Sequence, residues 1–188
     1  MQNSTRLADL LRKHSVKTGD FLLASGVRSR FYVDCRATTT RAEGQFLVGQ
    51  VGLDALRRAG LEPESVGGLT MGADPVAYAI AHASWLAEDP IDAFSVRKAP
   101  KEHGTGKRIE GCFGEGMRVV VIEDVITSGG SALQACEAVK AEGGEVLAVL
   151  TLIDREEGGR EVLEEAGYRV LSLFRISELL ARDSSTTG

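Results

Sequence analysis

Two apolar runs constrain this chain more than anything else in it: residues 117–122 (MRVVVI) and residues 146–153 (VLAVLTLI). Both are short, rich in β-branched residues and nearly free of polar interruption, which is the pattern of strands covered on both faces in a parallel sheet. Parallel neighbours need a crossover element between them. Residues 130–142 supply a helix, stopped by Gly143-Gly144.

The same rhythm extends outward from this pair. Residues 66–71 predict a strand, and Asp74 as N-cap with Pro75 at the first helical position predicts a helix to about residue 87. Residues 91–96 form another strand, residues 161–166 a helix stopped by Gly167, and residues 168–174 a last strand. Upstream, Leu7, Leu10 and Leu11 follow Ser4 at helical spacing, and two short apolar runs around a turn at residues 25–29 predict a hairpin. Leu47, Val48, Val51, Ala55 and Leu56 make one helical stripe over residues 44–59, ended by Gly60. Strands alternating with helices predict an open α/β sheet with right-handed crossovers, which binds ligands beyond the carboxyl ends of its strands.

Composition narrows the partners. With 188 residues, 43% of them hydrophobic, one core is expected. A net charge of -5 argues against nucleic acid or an anionic membrane as main partner. No apolar run approaches the roughly 20 residues of a membrane helix, and the polar start MQNSTRLADLLRKH is unlike a signal peptide. Cys35, Cys112 and Cys136 have no metal-ligand spacing and read as reduced thiols, so a cytoplasmic location is expected. Residues 183–188 read as a frayed tail.

At the carboxyl end of the central strand stand two acids, Glu123 and Asp124, followed through Val125 and Ile126 by a turn of Thr127, Ser128, Gly129, Gly130 and Ser131 that opens a helix. Such a turn can wrap backbone N–H groups and hydroxyls around a phosphate, helped by the helix dipole. Adjacent acids on a buried strand are costly without partners, and beside a phosphate they would repel it unless they face ribose hydroxyls or a phosphate-bound cation. A ribose 5-phosphate fits both halves. The plainer alternative is a strand end and a tight turn. A Walker loop is excluded, since no Gly-Lys-Ser/Thr follows.

Two further segments bear on the chemistry. Residues 97–108 hold Arg97, Lys98, Lys101, His103, Lys107 and Arg108, and Pro100, Gly104 and Gly106 argue against helix or strand there. A mobile basic loop could close over a polyanion and exclude water, or simply be a solvated charged loop. Arg155 follows the strand at 146–153, where a guanidinium can grip a carboxylate in a bidentate fork or pair with Asp154 or Glu156.

The run from Val119 to Ser131 resembles the phosphoribosyl pyrophosphate (PRPP) signature of type I phosphoribosyltransferases. Arg97-Lys98 with Lys101 and His103-Gly104 is similar to the catalytic loop of the orotate phosphoribosyltransferases among them. Ser25-Gly26, Ser29, Phe31-Tyr32-Val33-Asp34 and Arg36 resemble that family's amino-terminal hood.

The resemblance covers residues 7–174. It implies an α/β, type I phosphoribosyltransferase-like open parallel sheet flanked by helices, with a small N-terminal hood. Residues 1–40 would hold the first helix and the hood hairpin over the base. Residues 41–182 would form the PRPP-binding core with a mobile loop at 97–111. The implied reaction joins orotate to PRPP, giving orotidine 5′-monophosphate and pyrophosphate. The alternatives are a purine phosphoribosyltransferase and a PRPP-sensing regulator.

By the resemblance, Lys101 and Asp124 are catalytic. PRPP is bound by Arg97, Lys98, Lys101, His103, Glu123, Asp124 and the turn of Val125, Ile126, Thr127, Ser128, Gly129, Gly130 and Ser131. Orotate is bound by Thr127, Arg155, Tyr32 and Val33. Mg²⁺ is the implied cofactor, carried by PRPP without a direct protein ligand, Asp124 reaching it through water. The implied assembly is a homodimer that shares loop 97–111 between subunits. Many family members carry a lysine where this chain has Ala24, and a Tyr-Lys pair where it has Thr70-Met71. Two positive charges usual near the pyrophosphate in that family are therefore missing, which leaves open how Arg28 and the 97–108 loop divide the work.

Overall fold

A computed structural model of the chain describes residues 2–22, 26, 28–99 and 108–181. Helix α1 (Gln2–His14) leads into an antiparallel ribbon of β1 (Val16–Leu22) and β2 (Arg28–Val33). After α2 (Arg36–Thr39) and α3 (Ala42–Arg58), strands and helices alternate. They are β3 (Ser65–Leu69), α4 (Ala73–Leu86), β4 (Asp92–Val96), β5 (Ile109–Gly111), β6 (Arg118–Ile126), α5 (Gly130–Ala141), β7 (Glu145–Asp154), α6 (Gly159–Glu165), β8 (Val170–Arg175) and α7 (Ile176–Leu180). No helix among the described residues is long and apolar enough to cross a membrane.

The main sheet has the order β5-β4-β3-β6-β7-β8, parallel except for β5. Its centre is the MRVVVI strand, whose residues Val119 to Ile122 are fully buried. Because side chains alternate across a strand, Val120 and Ile122 join the core under α1, α3 and α4. Val119 and Val121 join the core under α5 and α6. The glycines expected to stop three helices, Gly60, Gly143 and Gly167, all take the left-handed conformation.

The connections from β3 run outward to β4, and those from β6 run the other way to β7. A crevice opens where the directions part, beyond the carboxyl ends of the two strands. β3 pairs with β6 only as far as Gly67↔Val121, whereas β6 runs on to Ile126 with β7 beside it.

Several expectations need correcting. The open parallel sheet is as expected, but Ile109–Gly111, expected within the loop at 97–111, lies antiparallel on β4. Glu123 and Asp124 lie within β6 rather than beyond it, since Val125 and Ile126 keep pairing with β7. α1 already runs from Gln2, so Ser4 is inside its first turn. α4 begins at Ala73, and Asp74 sits in the first turn instead of capping it. There its carboxylate accepts from Thr70 Oγ1 and from Ser95 Oγ, each at 2.7 Å, tying the β3–α4 turn to β4.

Candidate active site

The turn after β6 is shaped by two backbones in close contact. Gly129, the N-cap of α5, has φ +80°, a conformation that other residues adopt at a cost. A Cβ on Gly129 would lie 2.7 Å from the Gly159 carbonyl oxygen. One on Gly159 would lie 2.5 Å from Thr127 O and 2.7 Å from Gly129 N. The start of α6 thus presses the turn into place, and a glycine N-cap has no side chain to satisfy the first amides of α5. Glu123, Val125, Ile126, Thr127, Ser128, Gly129, Gly130 and Ser131 enclose a concavity of about 80 Å³, suited to a phosphate.

A larger cavity of about 330 Å³ adjoins it. Its floor holds the acids. Glu123 is 7% exposed, and its Oε2 is buried without a hydrogen-bond partner among the described residues. Burial, and secondarily the neighbouring Asp124 carboxylate, pushes its pKa up to about 8. Asp124 is half-buried and accepts the Val125 N–H at 3.0 Å. A Cβ on Gly72 would come within 2.5 Å of Asp124 Oδ1, so the β3–α4 turn approaches that carboxylate as only glycine allows. Beneath it the buried Cys35 thiol, its pKa raised by burial, donates to the Asp124 carbonyl oxygen at 3.6 Å.

Glu123 carries a prediction for the ligand-free protein. Its folded-state pKa lies above the ordinary 4.5, so the folded state holds the proton more tightly. Between about pH 4.5 and 8 this group therefore lowers stability as pH rises, and above about pH 8 the whole penalty applies. Glu123→Gln is expected to melt higher than wild type above about pH 8, with the gap closing as pH falls toward 4.5. A Tm difference independent of pH would contradict this.

The β1–β2 ribbon supplies the opposite wall. Tyr32, Val33, Asp34 and Arg36 line the cavity, and the Tyr32 ring packs against Phe21 at 5.8 Å between centroids. Arg36 grips Asp34 through two nitrogens, at 2.9 and 3.2 Å, and that contact depresses the Asp34 pKa.

Arg155 closes the remaining side. Register Ile126↔Asp154 puts it directly beside the β6 tip, and its N–H donates to Ile126 O at 3.0 Å. Its side chain is 8% exposed and lines the cavity. Asp154 pairs with Arg160 at 3.2 Å, and Glu156 accepts the Ser177 N–H at 2.9 Å, so neither suggested alternative partner holds Arg155. Its ion pair is with Glu157 at 2.6 Å, and the Phe31 ring lies 5.0 Å from the guanidinium carbon. Phe31 therefore supports the arginine without lining the cavity.

Of the basic segment, Lys98 lines the cavity, while Arg97 pairs with Glu110 at 3.1 Å across β4 and β5. The Arg97 N–H also donates to Arg108 O at 2.8 Å, so the two ends of the segment are zipped together. Lys101 and His103 lie outside the described residues, as do Ala24, Ser25 and the tail at 183–188. Leu69, Thr70, Met71 and Gly72 also line the cavity. The sequence flagged Thr70 and Met71 only as departures, and the strand-to-helix turn at Gly72 was the available signal. Among the described residues no group of three or more His, Cys, Asp or Glu is placed to hold a metal ion. The Asp124 carboxylate and the unpartnered Glu123 oxygen can face a cation whose other ligands come from a polyphosphate and water.

Comparison with known proteins fits this geometry. Residues 92–173 match the family model of the phosphoribosyl transferase domain. The chain is 46% identical over 183 residues to an orotate phosphoribosyltransferase of Aquifex aeolicus, covering 96% of this chain and 99% of the relative. It also resembles the crystal structure of orotate phosphoribosyltransferase from Mycobacterium tuberculosis H37Rv in complex with Fe(III) dicitrate. That match has a TM-score of 0.84 at 43% identity and covers 95% of this chain and 99% of the other. The same enzyme in complex with PRPP aligns with a TM-score of 0.80 at 40% identity, covering 94% and 98%.

Proposed function

The chain belongs to the orotate phosphoribosyltransferase family, and from that premise we propose how its residues carry out the transfer of a phosphoribosyl group from PRPP to orotate. The observation that carries the reading is one cavity lined at once by Arg155, by the acid pair and by the phosphate turn. A purine lacks the carboxylate that would use Arg155, and a PRPP sensor has no need of a base clamp.

The PRPP 5′-phosphate sits in the cradle of Thr127 to Ser131, on the amides that open α5. Asp124 accepts from one ribose hydroxyl, and Glu123, which keeps its proton near neutral pH, donates to a ribose oxygen. The Asp124 carboxylate favours the positive charge that grows on the sugar as the bond to pyrophosphate loosens. The orotate ring lies against Tyr32 and Val33. Its carboxylate meets Arg155, and Thr127 helps turn N1 toward the anomeric carbon. Orotate is already anionic, so no strong base is required. Lys98 faces the departing pyrophosphate from the cavity wall, and Arg97, Lys101 and His103 act on it from the 97–111 segment. With Ala24 and Met71 in place of cations, that segment carries more of the neutralisation. Mg²⁺ bound to PRPP supplies charge neutralisation of the leaving group, with Asp124 able to hold one of its waters.

The same reading divides the chain at about residue 40 into hood and core. It makes the active unit a homodimer, in which residues 97–111 serve the neighbouring site. The exposed Tyr78, Trp85 and Leu86 along α4 support such an assembly, since they leave a run of apolar side chains uncovered on one subunit.

The direct test follows orotate absorbance. Loss is expected only when PRPP and Mg²⁺ are both present, and uracil, hypoxanthine and guanine should not be consumed. Uracil turnover equal to that of orotate would remove the Arg155 argument.

A further inference from the structure

The Arg155 guanidinium is held by two groups that do not line the cavity. Glu157 Oε1 accepts from its Nη2 at 2.6 Å, and the Phe31 ring lies 5.0 Å from its carbon. Nε is buried without an acceptor among the described residues. Nη1 makes no hydrogen bond among the described residues and is not sealed from solvent, so it is the free corner of the fork. A guanidinium carries five N–H donors, so Glu157 leaves one hydrogen on Nη2 and both on Nη1 for a ligand.

A long side chain with a nearly buried charge has two needs before substrate arrives. It requires a counter-charge, because an unpaired buried cation is costly. It also requires a fixed plane, because bidentate pairing with a carboxylate fails when the fork is turned. Glu157 meets the first need and fixes one edge, while the Phe31 ring fixes the face. Glu157 does this from outside the lining, so it supports Arg155 without taking the ligand's place.

We infer that Glu157, with the Phe31 ring, is a positioning residue that holds the Arg155 fork toward the cavity and so sets the preference for a pyrimidine that bears a carboxylate. This rests on reading Arg155 as the partner of the orotate carboxylate. The site then discriminates through a brace in the turn between β7 and α6 and a ring on the hood.

Glu157→Ala is expected to raise KM for orotate about five- to tenfold, while kcat and KM for PRPP stay within about twofold. Its affinity for orotidine 5′-monophosphate should fall by the same factor. Affinity for uridine 5′-monophosphate, the same nucleotide without the carboxylate, should hold, which also shows that the variant is folded. Glu157→Gln keeps an acceptor oxygen and should retain most of the preference. An unchanged preference in Glu157→Ala overturns the inference, and so does tighter orotate binding, which would make Glu157 a competitor. Arg155→Gln separates the two levels. If it abolishes the preference while Glu157→Ala preserves it, only the brace fails. If Arg155→Gln preserves it, the reading of Arg155 itself has failed.

Discussion

Lys101→Ala is expected to lower turnover by about two to three orders of magnitude while PRPP affinity changes only a few-fold. Charge accumulates on the pyrophosphate as it leaves, so a cation aimed there acts on the transition state more than on the bound substrate. The cavity has few such cations. Arg36 is paired with Asp34 and Arg155 with Glu157, which leaves Lys98 as the lining cation without an ion pair among the described residues. Asp124→Asn should be similarly disabled at the sugar end, with little change in shape because the amide oxygen can still accept the Val125 N–H. If residues 97–111 cross between subunits, mixing these two inactive variants is informative. A hybrid dimer then has one site with both defects and one with neither, so up to about half of a wild-type dimer's activity returns. No recovery after subunit exchange has been verified by mass would show that each segment serves its own subunit.

Gly159→Ala should damage the phosphate turn severely. The added carbon falls 2.5 Å from Thr127 O, 2.6 Å from Ile126 Cγ2 and 2.7 Å from Gly129 N. Two of these atoms are backbone of the phosphate turn and cannot rotate away. Overpacking of this kind costs about 1–3 kcal/mol, and the displaced amides should weaken PRPP binding about ten- to a hundredfold. Gly158 is the internal control. It has φ +89°, but a methyl there would meet nothing within 4 Å, so Gly158→Ala carries only backbone strain of about 1 kcal/mol. Calorimetric titration with PRPP should find Gly158→Ala near wild type and Gly159→Ala severely weakened. Equal affinities for the two would mean that the turn is not held from the α6 side.

What the sequence disclosed was local. MRVVVI, TSGG and the glycine stops announce their conformations within a few residues, and the fold and the phosphate turn follow from them. β5 was hidden because Pro100, Gly104 and Gly106 argue against a strand, whereas the open edge of β4 rewards three residues for pairing. The acids looked like a strand end because charge inside a sheet is costly. The departure of β3 after Gly67 is what leaves them an open side, and no local pattern encodes that. Arg97 and Lys98 are neighbours in sequence, but the chain bends at Lys98 as it leaves β4. Arg97 meets Glu110 and Lys98, at the bend that follows β4, meets the cavity. Glu157 carries no motif, and the hood motif that includes Phe31 does not say what its ring touches. Their place depends on the register of β7 beside β6 and on where the ribbon lies.

The ribbon of β1 and β2 also bears on the order in which the molecule becomes competent. Most of its residues are exposed or half-buried, and a two-stranded ribbon has little stability of its own. It is synthesised well before the strands it rests against. The phosphate turn, by contrast, is held by Gly159 at the start of the next helix along the chain. Its contacts are short in sequence, while those joining Phe31 to Arg155 span most of the polypeptide. Recognition of the sugar phosphate is therefore within reach of a partly synthesised or partly refolded chain, and choice of base is the last property the molecule acquires.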